Sequence, residues 1–291
     1  MLFEAGILFA FGALVFWGFG DFLIQKTARK LGDWEPLLII TGFGVIVLTP
    51  FVYNDISNLI FASDYSFLLL LGSSLLILFA ALFDFEALRK GKLAIIEPIL
   101  AFEVPVSVLL AFTLLNESLP IIQTIFISLL LVGIIMVSLK SKHLSRKVWL
   151  ERGALLAIVG AILMGSTNFI VGVASRETSF LMVNWFMNIV LTLLCAFYIL
   201  VNRRTKKFIL HIKQNKKLLL GMSIFDNTAW ICYAAAATLI PIAIAVSISE
   251  GYIALAALLG VMINKERLMR HQKFGLLLAL FGAIALAITY A

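Results

Sequence analysis

Seven carboxylic acids lie within, or at the ends of, long apolar segments of this chain. They are Asp21, Asp84, Glu86, Glu97, Glu103, Asp226 and Glu250. No Lys or Arg lies deep in the same segments, and an ionised carboxylate at the centre of a bilayer costs about 2.5–3.5 kcal/mol on insertion scales. Each deep acid is therefore expected to be protonated, solvated in a cavity, or paired with a cation from outside the protein. The chemistry that this pattern indicates is the binding of a proton or of a cationic ligand.

The depth of each acid separates the candidates. Glu103 is the eleventh residue of the apolar span 93–115, and Glu250 is the ninth of the span 242–263. Both therefore fall near the middle of the bilayer, where an ionisable side chain is by default functional. These two acids are the leading candidates for binding a proton or a cationic group of a substrate.

Three further acids complete the candidate set. Asp226 is the ninth residue of the span 218–237, Glu97 lies about one turn inside its helix, and Asp21 lies nearer a helix end. Asp84 and Glu86 are left outside the set. Solvation at the membrane surface, or pairing with the Arg and Lys that follow them, explains those two acids at least as well.

Two prolines accompany the acids of the fourth span. Pro98 and Pro105 are seven residues apart and so fall on nearly the same helix face. Each proline removes a main-chain hydrogen bond, which predicts freed carbonyls at Ala94 and Ala101. Freed carbonyls at that depth must be satisfied by neighbours or line a wet cavity. The prolines either help to form a binding site or merely bend the helix.

Aromatic residues adjoin several of the acids. Trp17 precedes Asp21 by four residues, Trp230 follows Asp226 by four, and Tyr252 follows the acid of the ninth span by two. Rings beside carboxylates can hold an organic cation, at roughly 0.5–2 kcal/mol per ring. With 24 Phe and five Trp in the chain, some aromatic must adjoin each acid, so ordinary packing is an equal interpretation.

Neutral polar residues in the spans either bond a substrate or bond between helices. They are Ser166, Thr167, Asn168, Asn184, Asn188, Asn227, Ser247 and Ser249. Asn168 joins the candidate site because an internal alignment with a one-residue gap pairs Asn168-Phe169 with Asp21-Phe22. For most of the others, bonding between helices is sufficient. The small-residue pair Ala161 and Gly165 is assigned to helix packing alone.

Composition indicates the elements that must hold these residues. The chain is 62% hydrophobic and 13% charged, against about 45–50% and about 25% in soluble domains. Ten apolar runs are long enough to cross a membrane. They are 6–25, 37–53, 67–88, 93–115, 121–139, 153–175, 180–201, 218–237, 242–263 and 274–291. The sequence therefore predicts an all-α, multi-pass membrane protein.

The distribution of positive charge predicts the orientation. Of the 23 Lys and Arg residues, 22 fall in the loops after odd-numbered spans, and Arg176 alone falls on the other side. Because loops rich in Lys and Arg stay cytoplasmic, both termini are expected outside the cytoplasm. We expect a location in the plasma membrane. The net charge of +7 is then a topology signal and a contact with lipid head groups, and no nucleic-acid partner is expected.

The chain repeats itself. Glu117 and Glu266, Leu119 and Leu268, and Gly133 and Gly282 are the matched pairs of one repeat, each separated by 149 positions. The stretch GALVFWGFGDF at 12–22 likewise resembles GAILMGSTNFI at 160–170. We predict a first five-helix repeat at 1–139, a basic cytosolic linker at 140–152 and a second repeat at 153–291. Because five is odd, the second repeat is inverted, as is characteristic of secondary transporters.

This organisation resembles the EamA-type members of the drug/metabolite transporter superfamily. Each half ends in a helix, a short N-x-E-like turn (NESL at 116–119, NKERL at 264–268) and a glycine-bearing helix. The family's usual proline in the fourth helix matches Pro98 or Pro105, whereas the equivalent stretch VSISEGYIALA at 246–256 has no central proline. The resemblance implies a ten-helix transporter of a metabolite, and it covers essentially the whole chain. The turn acid Glu117 is expected to cap the helix that follows it.

We therefore predict a secondary transporter, coupled to protons, that moves a small amine or amino acid by alternating access. Its expected partners are this small molecule, protons and the lipid bilayer, and monomer and homodimer stay equally open. Because no G-x-x-x-x-G-K-[ST] loop occurs, ATP is not expected to drive it. No catalytic residue, metal or cofactor is expected. The alternatives are a flippase for a lipid carrier and an intramembrane enzyme, such as a protease with a pair of acids.

Overall fold

The structure is a computed structural model that describes residues 2–56, 63–90, 96, 99–139, 152–264 and 268–290. The predicted linker 140–152 lies outside the described residues except for its last residue. Glu97, Pro98 and Glu266 also lie outside them, as do the side chains of Asp21 and of a few other helical residues.

The described residues form eleven α-helices and one 3₁₀ turn, Tyr53–Asp55, with no strand among them. The helices are α1 (Leu2–Leu31), α2 (Trp34–Val52), α3 (Asp64–Lys90), α4 (Glu103–Leu115), α5 (Ile121–Ser138), α6 (Arg152–Glu177), α7 (Phe180–Val201), α8 (Thr205–Leu239), α9 (Ile242–Ser249), α10 (Tyr252–Asn264) and α11 (Arg270–Tyr290). Since α9 and α10 are two halves of one span, the predicted all-α fold of ten spans is confirmed.

The surface of the bundle is apolar, as a bilayer requires. Seven of the described helices are long and apolar enough to cross a membrane, and shorter apolar stretches occur in α1, in α4 and across α9 and α10. Large aliphatic side chains face outward on different helices, for example Ile46 at 76% exposure, Ile121 at 81% and Ile288 at 72%. In water such a surface would aggregate, whereas lipid tails solvate it at no cost.

The contacts between the two halves follow a pseudo-two-fold axis. In the repeat, α1 corresponds to α6, α2 to α7, α3 to α8 and α5 to α11. The main interfaces are α3 with α6, α1 with α8, α2 with α7, and α5 with α11. When each helix is replaced by its counterpart in the other half, the α3–α6 interface becomes the α8–α1 interface. The α2–α7 and α5–α11 interfaces each map onto themselves. The core is therefore built between the halves, where inverted-repeat transporters hold their sites.

The close crossing of α5 and α11 depends on glycine. A Cβ on Gly133 would collide with the main chain of Ala279, and one on Gly282 would lie 2.8 Å from the main-chain nitrogen of Leu130. Gly133 and Gly282 are the repeat-related pair found in the sequence. Without side chains at these two positions the helix axes can approach, which is how helices associate in lipid.

The fourth and ninth spans are discontinuous. In the first half a turn at Ala101–Phe102 precedes α4, and in the second half a turn at Glu250–Gly251 separates α9 from α10. The restarted helices begin at Glu103 and Tyr252. These two residues are 149 positions apart, the same offset that relates the repeats. The two breaks are thus symmetry mates.

The proline predictions need correction at these breaks. Pro105 lies in the first turn of α4, where proline is tolerated, so it does not kink a helix interior. The carbonyl of Ala101 is not freed, because it accepts a hydrogen bond from the Val104 N–H at 3.4 Å. The ninth span breaks without a central proline, through short-range bonds such as Gly251 N–H to the Ile248 carbonyl at 3.1 Å.

The eighth span is longer than predicted. The sequence analysis placed it at 218–237, whereas α8 begins at Thr205 and contains a non-helical residue, Asn215, with φ −124° and ψ 24°. The stretch before Asn215 carries the basic residues that were assigned to a loop. The chain turns at Asn202–Arg204 directly after α7, and the next helix begins there instead of after a loop.

Candidate functional site

One cavity of about 170 Å³ lies between the two halves, with walls from α1, α2, α3, α4, α6, α7, α8 and the α9–α10 break. Four carboxylic acids line it: Asp84, Glu103, Asp226 and Glu250. Among the described residues that line it, none is Lys, Arg or His. The fold thus collects acids from both halves around one space.

Seven of the nine residues predicted from sequence line this cavity. They are Trp17, Glu103, Asn168, Asp226, Trp230, Glu250 and Tyr252. The remaining two cannot be placed in it: Asp21 lies in α1 with its side chain outside the described part, and Glu97 lies outside the described residues. Residues far apart in sequence meet because the pseudo-two-fold axis passes between the halves.

The two leading acids reach the cavity from the broken spans. Glu103 begins α4 and is 6% exposed, and Glu250 ends α9 and is 3% exposed. Gly165 of α6 lets α4 approach, since a Cβ there would lie 2.5 Å from the main-chain oxygen of Glu103. Ser107 of α4 fastens the same contact by donating to the Gly165 carbonyl at 2.5 Å.

Asn168 links Glu250 to the aromatic wall. Its side-chain Nδ2 donates to Oε1 of Glu250 at 3.3 Å, and its main-chain carbonyl accepts from the Tyr233 hydroxyl at 2.7 Å. The Asn168 side-chain oxygen is buried and accepts no hydrogen bond from the described residues. Asn168 therefore contacts a carboxyl group through its side chain and an aromatic residue through its main chain.

An aromatic cluster forms the wall next to Glu250. Trp17 contacts Trp230 edge-on with ring centroids 5.1 Å apart, Tyr233 at 5.7 Å and Tyr252 at 6.1 Å. Trp230 and Tyr233 are also edge-on, at 6.0 Å. Such ring faces beside a carboxylate suit a desolvated ammonium group. The candidates Trp17, Trp230 and Tyr252 thus belong to one cluster that includes Tyr233.

Asp84 is a cavity residue that the sequence analysis left outside the candidate set. Its carboxyl packs on Gly160 of α6, where a Cβ would collide with the Asp84 side-chain oxygen. The sequence analysis placed Asp84 too close to the end of its helix. In the structure α3 extends to Lys90, and Asp84 lies nearly two turns before that end. The sequence signal that could have been used is Gly160, because a glycine on the facing helix leaves room for a polar side chain.

Three asparagines, which sequence reasoning assigned to helix bonding, form a second polar wall. Asn184 and Asn188 lie one turn apart on α7, and Asn227 lies on α8. All three line the cavity. Nδ2 of Asn188 donates to the side-chain oxygen of Asn227 at 3.0 Å. These residues carry no charge and follow no motif, so sequence alone does not distinguish them from packing residues.

At the end of the bundle where α1 begins, an ion pair joins the halves. Glu117 lies 2.9 Å from Arg176, which also donates to the carbonyls of Ala237 (2.8 Å) and Ile240 (3.0 Å). Glu117 accepts from the N–H of Ile242 at 3.2 Å, the first residue of α9. The predicted cap on the following helix is therefore wrong, since Glu117 caps a helix of the other half.

Local structure explains how Glu117 reaches that position. Asn116 ends α4 in the left-handed conformation, with φ 53° and ψ 32°. Asparagine adopts this conformation more readily than other residues that have a Cβ, and it commonly ends helices. The turn directs the next residue towards the start of α9, where the helix dipole favours a carboxylate.

Another buried acid lies away from the cavity. Glu35, in the first turn of α2, is 1% exposed and forms an ion pair with His211 of α8. The sequence analysis did not consider Glu35 because it fell in a predicted loop. Its partner is a histidine, whereas none of the described residues that line the cavity is basic.

Comparison with known proteins identifies the family. A family model for EamA-like transporters matches residues 4–139 and, a second time, residues 151–288. The chain belongs to the EamA-like transporter family. Its two matches are the two halves related by the pseudo-two-fold axis, and the EamA fold is a two-repeat helical membrane fold. The molecule is therefore an integral, multi-pass membrane protein of a transporter family.

Two further comparisons found one relative in sequence and one similar structure. An uncharacterised protein of Methanocaldococcus jannaschii is 26% identical over 140 residues, which are 47% of this chain and 99% of that protein. One crystal structure is similar with a TM-score of 0.74 and 14% identity, covering 96% of this chain and 95% of that one. The first match has the length of one repeat, and the second extends over both.

Proposed function

We propose that this EamA-type protein is a secondary transporter that exchanges protons for a small amine or amino acid by alternating access. Glu103 and Glu250 bind the proton or the ammonium group of the substrate. The observation that carries the proposal is the convergence of four carboxyl side chains and an aromatic cluster on one cavity between the halves.

The chemistry of a buried carboxyl supports exchange. A carboxylate that binds an ammonium must be ionised, whereas a carboxyl that faces hydrocarbon alone is favoured when it is protonated. A proton and a cationic substrate therefore compete for the same oxygen atoms. Competition of this kind couples the two movements, because each occupant leaves before the other binds.

The position of the two acids supports a conformational cycle. Each lies at a break in a helix, and discontinuous helices near the midplane are where inverted-repeat transporters bind their solutes. A break also lets the two parts of a span tilt independently when the halves rock. In this cycle the two acids lie where the broken spans can bend.

The flippase and enzyme alternatives have less support. A phosphate head group calls for Lys or Arg, and none of the described residues that line the cavity is basic. A protease of the paired-acid kind would need two acids at about 3 Å. Family membership favours transport.

The test is transport by purified protein in proteoliposomes under an imposed proton gradient. Small amines and amino acids are assayed in both directions for wild type, Glu103→Gln and Glu250→Gln. Glu177→Gln, at an exposed helix end, is the matched control. We expect proton-driven transport of at least one substrate by wild type and by the control. In each cavity variant, substrate movement and proton movement should be lost or uncoupled.

Two outcomes separate the parts of the proposal. Coupled transport that persists unchanged in both Gln variants contradicts the role of the acids and leaves the transporter class intact. Facilitated transport that ignores the proton gradient contradicts proton coupling. Correct folding of each variant is checked by size-exclusion profile and thermal unfolding, so that loss of activity is not loss of structure.

A further inference from the structure

We infer that the substrate is an amine that carries a second hydrogen-bond donor, such as a hydroxyl group, and no carboxylate. Asn184 and Asn188 are the residues that select for this second group. The inference rests on the proposed function and narrows its substrate class. It comes from the hydrogen bonds that the amide wall, formed by Asn184, Asn188 and Asn227, has already made.

The amide N–H groups of this wall are largely used within the protein. Nδ2 of Asn184 donates to the Phe180 carbonyl at 2.7 Å and to the Trp230 carbonyl at 3.4 Å. Nδ2 of Asn227 donates to the carbonyls of Ile40 (3.0 Å) and Ser223 (2.9 Å). An amide nitrogen has two hydrogens, so neither of these two residues keeps a donor for a ligand.

The amide oxygen atoms remain available. The side-chain oxygens of Asn184 and Asn188 accept no hydrogen bond from the described residues, although both side chains line the cavity and Asn184 is only 2% exposed. A ligand hydrogen that bonds to one of these oxygens therefore adds to the affinity without displacing a donor of the protein. Two such oxygens one turn apart on α7 therefore call for a hydroxyl or amine hydrogen.

The acids and the amide oxygens come from different helices and bind different groups of the ligand. Glu103 enters from α4, which packs on α6 and α9, whereas Asn184 and Asn188 enter from α7, which packs on α2, α3, α6 and α8. The acids take an ammonium group, and the amide oxygens take a neutral donor. A carboxylate would face carboxyl groups and amide oxygens, with one N–H of Asn188 left to donate to it, and no described cation in the lining compensates its charge. Amino acids are therefore poor substrates.

Gly44 of α2 keeps the amide wall in place. A Cβ at this position would collide with Nδ2 of Asn188 and with the side-chain oxygen of Asn227. Gly42, two residues away on the same helix, has open space at its Cβ position. Gly44→Ala therefore disturbs the amide pair without changing any residue that lines the cavity, and Gly42→Ala is its matched control.

The experiment measures binding to purified protein in detergent with three ligands of equal chain length. They are propylamine, 3-amino-1-propanol and 3-aminopropanoate. Isothermal titration calorimetry at fixed pH and ionic strength gives the dissociation constants. We expect 3-amino-1-propanol to bind about fivefold more tightly than propylamine, which is the worth of one neutral hydrogen bond. We expect 3-aminopropanoate to bind at least tenfold more weakly than the amino alcohol.

The variants locate this preference. In Gly44→Ala and in Asn188→Leu the amino alcohol should lose its advantage, so that the ratio of its dissociation constant to that of propylamine approaches one. Gly42→Ala and Asn202→Ala, a change of an exposed asparagine at the end of α7, should keep the advantage. Glu250→Gln should weaken both amines equally, because it removes the charge that both share.

Each failure has a distinct meaning. Equal binding of 3-aminopropanoate and the amino alcohol overturns the inference, as does an unchanged preference in both Gly44→Ala and Asn188→Leu. Absence of binding by all three ligands at millimolar concentration also overturns it. Selective amine binding without any transport in proteoliposomes contradicts the proposed function and leaves the inferred ligand class standing. Coupled transport of amino acids, with no transport of amines, supports the proposed function and overturns the inferred ligand class.

Discussion

Glu250 receives a hydrogen bond from the neutral amide of Asn168, at 3.3 Å, in a cavity whose described lining contains no basic residue. An amide donor tolerates both forms of the acid, because a protonated carboxyl keeps an oxygen that accepts. An Arg or Lys partner would hold the carboxylate in its charged form. The hydrogen bond from Asn168 is therefore compatible with the proposed exchange of a proton for a cation at Glu250.

At the residue scale we predict that Trp17 contributes directly to amine affinity. Trp17→Leu removes a ring from the cluster beside Glu250, so the dissociation constant of an amine should rise by about two- to thirtyfold, the range that a cation–π contact covers. Trp17→Phe should retain most of the affinity because it keeps a ring face. Calorimetric titration with propylamine measures both.

The control is another tryptophan. Trp34 stacks on Tyr198 with ring centroids 3.9 Å apart and does not line the cavity, so Trp34→Leu should leave amine affinity unchanged. If Trp17→Leu and Trp34→Leu had the same effect, the aromatic cluster would be packing alone. The sequence left this choice open because aromatic residues are frequent in every span.

Three of the four cavity acids were predictable at the residue scale, whereas Asp84 and the amides were not. A carboxyl deep in an apolar span is rare and costly, so its position carries information without a structure. Asn184 and Asn188 bond equally well to a neighbouring helix or to a ligand, and the two cases differ only in which atoms remain unpaired. That difference depends on partners such as Trp230, 46 positions away from Asn184.

At the element scale, the breaks in the fourth and ninth spans position the two leading acids. The prolines of the fourth span predicted a distortion there, although Pro105 lies after the break rather than at it. The break at Gly251 had no proline to announce it. The two breaks are related by the offset of 149 positions between Glu103 and Tyr252. This relation could be recognised only after the structure showed that α4 and α10 begin at these residues.

We predict that Gly165→Ala disturbs the first break. A Cβ at Gly165 would lie 2.5 Å from the main-chain oxygen of Glu103, so α4 must move away from α6. Overpacking of this kind costs about 1–3 kcal/mol. We expect a lower temperature of thermal unfolding in detergent and reduced amine binding, because Glu103 is displaced together with its helix.

Gly72→Ala is the control for a change inside a helix. Nothing lies within 4 Å of a Cβ at Gly72 in α3, so this substitution should be neutral or stabilise by about 0.5–1 kcal/mol through helix propensity. Equal unfolding temperatures for the two variants would mean that α6 yields and that Gly165 does not position Glu103. Sequence reasoning had assigned Gly165 to packing only, since the residue that it faces was not known.

At the scale of the whole molecule, the sequence predicted the number of spans and their internal repeat. Charge segregation and hydropathy gave the same segmentation, because the same loops separate the spans and carry the Lys and Arg residues. Which helices pack together was not predictable, because apolar helix faces are solvated equally well by lipid and by other helices. The orientation in the membrane stays a prediction from the positive charges.

The ion pair of Glu117 with Arg176 is a whole-molecule feature, because it fastens the turn of one half to the start of α9 in the other. Arg176 is also the one basic residue that the charge pattern places outside the cytoplasm. Alternating access requires the halves to separate at each end in turn. We therefore expect this pair to hold the non-cytoplasmic end closed and to break when that end opens.

The prediction is tested with a reporter beneath the pair. Ala237 is fully buried, and its carbonyl accepts a hydrogen bond from Arg176. Ala237→Cys is made in a chain from which Cys195 and Cys232 have been removed, and labelling by a membrane-impermeant maleimide is followed over time. Arg176→Gln should speed labelling by roughly two- to fivefold, since a partly exposed ion pair is worth up to about 1 kcal/mol.

Arg176→Lys keeps the charge but loses the forked geometry that reaches Glu117 and two carbonyls together, so it should fall between wild type and Arg176→Gln. Addition of an amine that binds the cavity should change the labelling rate in every variant if ligand and pair bias the same equilibrium. Labelling that is equally slow with Gln, Lys and Arg at position 176 would assign the pair to stability alone. A faster rate confined to Arg176→Gln, with unchanged thermal unfolding, would identify it as a contact that opens during transport.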